Sequence, residues 1–163
     1  MLKKEMEEAL NRQISEEFYS AYLYLAMSAY FETLGFSGFA KWMRVQSQEE
    51  LQHAMKIYDY IISQNGTVKL FALKEPPSSW NSLLEAIKGA YEHEKYITSK
   101  IYELVDLANK LDDKATDNFL QWFVEEQIDE EKNTYDLVKK VGMAKNHIGA
   151  LLQLDKILGE RED

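Results

Sequence analysis

Four glutamates stand where helical periodicity calls for apolar residues. At about 100° per residue, Met6, Leu10, Ala21 and Tyr24 form one stripe, with Glu17 at its centre. Phe39, Met43, Ala54, Ile57 and Ile61 form a second around Glu50, and His53 follows one turn later. Leu83, Ile87, Ala90, Ile101 and Val105 surround Glu94. Phe119, Phe123, Leu137 and Val141 surround Glu130, with Gln127 one turn before it. A single glutamate on such a face commonly bends out to solvent. Four of them, one per long helix, need a different account, because an unpaired buried charge costs several kcal/mol. Converging carboxylates also repel one another, so cations, protons or water must lie between them.

The donor set is rich in oxygen and has one imidazole, which suits iron or manganese better than a structural zinc. Helical di-iron carboxylate proteins supply a glutamate from each of two helices and Glu-x-x-His from each of two others. Here Glu17 and Glu94 are the single glutamates, and Glu50-Leu51-Gln52-His53 is one Glu-x-x-His. Gln127-Ile128-Asp129-Glu130 replaces the second. The two metal positions should therefore differ. One takes Glu17, Glu50 and His53; the other shares Glu50 and takes Glu94 and Glu130. Glutamine is a weak neutral ligand, so Gln127 is expected to orient a water or a bound oxygen species. Unequal, partly open positions suit metal that passes through.

The elements that must hold these groups can be read from the punctuation. Helices are expected over about 3–34, 37–64, 81–108, 113–142 and 145–158. Gly35 stops the first, Ser37 is the expected cap of the second, and Asp112 or Asp113 caps the fourth. Residues 65–80 lack helical period and hold both prolines, Pro76 and Pro77. At about 3.3 Å per residue this segment reaches roughly 50 Å, and a helix of ~27 residues is ~40 Å long. It can cross the whole bundle and make the second and third helices parallel. An all-α, ferritin-like four-helix bundle with one long crossover and a short fifth C-terminal helix follows.

Composition narrows the function. The chain has 163 residues, two prolines and a net charge of −9. An acidic surface with no basic run argues against nucleic acid and anionic membranes and favours cations. With no cysteine, disulfides, thiolate zinc sites, iron–sulfur clusters and cysteine nucleophiles are excluded. No apolar run approaches ~18 residues, so no membrane span is expected. The first residues lack a signal-peptide core, and a cytoplasmic home is the default.

With these residues in place, the chain resembles the non-haem bacterial ferritins across essentially its whole length, 1–163, as one domain. The resemblance implies a ferroxidase centre of Glu17, Glu50, His53, Glu94 and Glu130, with Gln127 beside it and Tyr24 as the neighbouring tyrosine. Gln-x-x-Glu on the fourth helix is the specific feature; bacterioferritins carry Glu-x-x-His there. They also bind haem through a methionine where this chain has Leu51, so no haem is expected. Two Fe(II) ions would be oxidised by dioxygen or hydrogen peroxide, and Fe(III) would pass into a cavity as mineral. A third iron site is implied at Glu49, Glu126, Asp129 and Glu130, the shorter Asp129 standing where a glutamate is usual. The plainer alternative leaves Glu49 and Glu126 as solvated charges.

The resemblance further implies a homo-oligomer, a hollow shell of twenty-four chains whose fifth helices line four-fold channels. Asp117 matches the first of two acids at a three-fold inlet, and Leu120 stands at the second. From the residues alone, Tyr19, Tyr22, Leu23, Ala26 and Tyr30 make a second apolar strip opposite Glu17, which calls for a partner chain such as an isologous dimer. His93 is read as a surface residue, His147 as lacking a carboxylate cluster, and Trp122 and Tyr91 as packing residues. The competing functional reading is a soluble di-iron oxidase or peroxidase that stores no mineral.

Overall fold

Five helices carry the chain in the computed structural model, which describes residues 1–162. They are α1 (Lys4–Thr33), α2 (Ser37–Ser63), α3 (Leu83–Lys110), α4 (Lys114–Ala144) and α5 (Ile148–Leu158). α1 packs along α2 and α3 along α4, each pair joined by a short turn, and α1 also meets α3. Gly35, at φ +83°, turns the chain between α1 and α2 in a conformation that other residues rarely adopt. α5 rests on α2 and α4. Among the described residues no helix is long and apolar enough to cross a membrane.

The crossover between α2 and α3 runs the length of α1. Asn11 donates to the Thr67 carbonyl at 2.9 Å and accepts from the Lys69 amide at 2.8 Å. Further along, Lys74 lies over the Tyr19 ring at 4.7 Å, and Tyr30 donates to the Trp80 carbonyl at 2.8 Å. The contacts advance along both segments in the same order. Thus α3 starts beside the far end of α1 and runs parallel to α2.

This route revises the second apolar strip of α1. Leu23 and Tyr30 are buried in the chain's own core, and the crossover covers much of Tyr19. Of the strip Tyr22 stays exposed and Ala26 half-buried, and Leu25 and Ala29 lie exposed beside them.

Capping also departs from the sequence reading in one place. Ser82 and Asp113 cap α3 and α4 through Glu85 and Thr116 backbone amides, at 3.1 and 3.0 Å. Ser37 is instead the first helical residue of α2, with no side-chain cap before it. The Phe39 amide is satisfied from α5, by Asp155 Oδ1 at 2.8 Å. Gly38 permits that approach, since a Cβ there would stand 1.7 Å from the Asp155 carbonyl oxygen.

The core is split. One apolar cluster gathers Tyr24, Met27, Phe31, Phe39, Met43 and Ile87 with Val141. The other gathers Met6, Leu10, Ile57, Ile101, Leu120 and Phe123. The four glutamates lie between them in sequence on every long helix. Leu120 is fully buried in the second cluster, so it cannot line a channel with Asp117. On the exposed face the next-turn partner of Asp117 is Gln121, whose amide donates to Asp117 Oδ1 at 3.0 Å.

Candidate metal centre

Each long helix delivers its glutamate to this middle layer. Glu17 and Glu50 are 1% exposed, Glu94 0% and Glu130 3%. His53, one turn after Glu50, places Nδ1 3.1 Å from Glu50 Oε2 and 4.0 Å from Glu17 Oε2. Two groups of three donors result, each with its ligand atoms within 4.8 Å of one another: Glu17, Glu50 and His53, and Glu50, Glu94 and Glu130. Glu50 belongs to both.

Two buried oxygens in this layer, Glu17 Oε2 and Glu50 Oε1, have no hydrogen-bond partner. Buried acceptors are rarely left so, because each forfeits its hydration. Orphaned oxygens beside an imidazole nitrogen and two further carboxylates fit a pair of hard or borderline divalent cations.

The other oxygens are held by neighbours. Gln13 donates to Glu17 Oε1 at 3.1 Å. Tyr24, wholly buried, donates its hydroxyl proton to Glu94 Oε1. Gln127 donates to Glu94 Oε2 at 3.1 Å and lies 3.1 Å from Thr98 Oγ1. Its amide therefore holds a carboxylate. Gln46 donates to Glu130 Oε2.

Burial pushes every one of these carboxyls up. Glu94 rises to about 7, its Tyr24 and Gln127 hydrogen bonds working against the desolvation. Glu130 rises to about 9, from desolvation first and then the charge of Glu94. Desolvation also raises Glu17, and raises Glu50 strongly, with Glu94, Glu17 and Glu130 adding repulsion. Without cations the layer holds protons; cations offset the same repulsion while displacing them.

The third cluster differs from the expected one. His53, Glu126 and Glu130 form a donor group, with His53 Nε2 3.8 Å from Glu126 Oε1. Glu49 and Asp129 join none of the groups. Glu49 is bound by Arg161 at 2.9 Å, and Asp129 points to solvent. An open groove of about 620 Å³ leads to His53 and Glu126, with Trp122, Lys56 and Glu49 on its walls.

Further neighbours complete the layer. His93 is half-buried, with Nε2 2.7 Å from Ser20 Oγ and its ring edge-on to Tyr24. Burial, then the charge of Lys74, lowers it to about 4, so it stays neutral. Trp122 meets His53 edge-on at 5.4 Å. Gln13 stands four residues before Glu17, its partner, a spacing that could have marked it.

Known proteins place this arrangement in context. The profile of the Ferritin family, described as a ferritin-like domain, matches residues 7–144. A bacterial non-heme ferritin of Bacteroides fragilis is 42% identical over 161 residues, spanning 99% of this chain and 100% of that protein. One of Escherichia coli is 38% identical over 158 residues, spanning 97% and 96%. The solved open pore ferritin of the archaeon Archaeoglobus fulgidus superposes with a TM-score of 0.98 at 51% identity, covering 99% of this chain and 100% of that one.

Proposed function

From the membership of this chain in the ferritin family we infer that it is an iron storage protein: it takes up Fe(II), oxidises it in the four-helix layer and keeps Fe(III) as a mineral inside a shell. The observation that carries this reading is the pair of three-donor groups sharing Glu50, with two buried oxygens left unpartnered between them. Iron is the substrate here.

Glu17, Glu50 and His53 receive one Fe(II); Glu50, Glu94 and Glu130 receive the other. Binding releases the protons that burial keeps on the carboxyls. Two Fe(II) lose one electron each to dioxygen, giving peroxide, or to hydrogen peroxide, giving water. The protein's share is to hold the metals close, offer negative charge to the rising metal charge and leave positions open. Tyr24 and Gln127 keep Glu94 aimed and ease its ionisation. The unequal donor sets favour release of Fe(III), and His53 with Glu126 and Glu130 offers the next stop along the open groove.

Around this chemistry we place a cytoplasmic shell of twenty-four chains built from dimers, with no haem at Leu51. Tyr22, Leu25 and Ala29 supply apolar surface for the dimer, and the exposed Ile148, Leu152 and Ile157 of α5 for its further contacts. Aerobic Fe(II) loading followed by size-exclusion chromatography tests the reading. Hundreds of irons eluting with a particle near half a megadalton support storage. Two irons per chain on a small species, with no mineral, would sink it in favour of a di-iron oxidase.

A further inference from the structure

The C-terminal end of the chain returns to α2 through one side chain. Arg161 Nη1 donates to the Trp42 carbonyl and to Gln46 Oε1, each at 3.1 Å. Nη2 donates to Glu49 Oε2 at 2.9 Å. The guanidinium also lies 4.4 Å from the centre of the Trp42 ring. Trp42, Gln46 and Glu49 follow one another at helical spacing, so a single planar fork spans two turns of one ridge.

These contacts are unequal. Gln46 is 2% exposed and locked, because a guanidinium only donates. Its oxygen must face Arg161, which leaves its NH2 for Glu130. The Trp42 carbonyl and ring are likewise fixed by the helix. The Glu49 side chain is 40% exposed. Ion pairs this exposed are weak. Arg161 therefore stays seated when Glu49 leaves it.

Glu49 stands beside the groove that opens on His53 and Glu126, yet it joins no donor group. Its carboxylate is already neutralised. We propose that Arg161 is a positioning residue of the inner metal group: it holds Glu49 in reserve, so that a cation on the groove side of Glu126 and Glu130 gains Glu49 as a ligand only by taking it from the guanidinium. Occupancy of this stop is thereby kept weak, which favours onward transfer. The geometry is independent of the iron reading; only the identity of the cation rests on it.

Zinc(II) titration of the assembled, metal-free protein by calorimetry tests this without any oxidation step. Arg161→Ala should tighten the binding class beyond the first two equivalents by about fivefold or more. Glu49→Gln added to Arg161→Ala should return that class to its parental affinity. A parental or weaker class in Arg161→Ala overturns the proposal, as does tightening that survives in the double variant. Arg161→Gln repeats the test with less loss of packing should the alanine variant fail to assemble. Absence of two tight equivalents in the parent would instead count against the paired iron centre, so the two failures are distinct.

Discussion

Tyr24 on α1 donates its hydroxyl proton to Oε1 of Glu94 on α3, seventy residues away and fully buried. Gln127 satisfies the other oxygen of the same carboxyl. This pair of donors works against desolvation at Glu94, which rises to about 7, while desolvation and the charge of Glu94 carry Glu130 to about 9. Tyr24→Phe removes one donor from an ionised acceptor, a loss of about 1.5–3 kcal/mol for the charged form. We expect zinc(II) to bind the Glu50–Glu94–Glu130 group roughly tenfold more weakly near pH 7. A parental isotherm would separate the phenol from the metal centre.

Metal-free stability should depend on pH in an unusual direction. Glu17, Glu50, Glu94 and Glu130 are all raised above the ordinary carboxyl range, so the folded chain holds protons that the unfolded chain releases. Their contribution is complete below about pH 4, the unfolded range. It is lost as pH climbs through about 7 for Glu94 and about 9 for Glu130. The melting temperature of metal-free protein should therefore fall between about pH 5 and pH 9. Saturating zinc(II) should reverse the slope, because metal replaces those protons. A metal-free melting temperature that rises over this window would contradict the electrostatic account.

Glu50 serves both donor groups, so its loss affects both metals at once. Glu50→Gln should slow Fe(II) oxidation by roughly 10² in stopped-flow absorbance, since neither position keeps its shared anion. The same change removes one ionisable group from a crowded layer. The metal-free variant at pH 8 should melt no lower than the parent. Normal oxidation by this variant would refute the shared role.

The seat of α5 depends on a missing side chain. A methyl group at Gly38 would meet the Asp155 carbonyl oxygen at 1.7 Å, and Asp155 also caps the Phe39 amide. Gly38→Ala should cost about 1–3 kcal/mol through overpacking. It should also lift α5 and shift the variant to smaller particles on size exclusion. An unchanged elution profile and melting curve would show that α5 docks by other means.

The sequence made the four glutamates visible because helical period tells which face a residue occupies. Glu17, Glu50, Glu94 and Glu130 each interrupt an apolar stripe, and one long crossover forces those stripes together. Period says nothing about which atom of a distant helix a side chain meets. Gln46 reaches Glu130, eighty-four residues on, and Arg161 reaches back to Glu49. Neither pairing has a local signature. Gln127 was placed on the right face, but its partner, Glu94, lies on another helix. Leu120 lies within the breadth of the core stripe, which outweighs its spacing from Asp117. The period of α3 turns His93 away from Glu94, and only Ser20 and Tyr19 of α1, distant in sequence, cover it.

The central claim is that the four-helix layer binds two metals through a shared Glu50. Diffraction from crystals soaked anaerobically in Fe(II), with anomalous data collected at the iron edge, tests it most directly. The account predicts two peaks inside each bundle, one among Glu17, Glu50 and His53 and one among Glu50, Glu94 and Glu130. Peaks confined to the protein surface, with Glu17 Oε2 and Glu50 Oε1 still unpartnered, would contradict it.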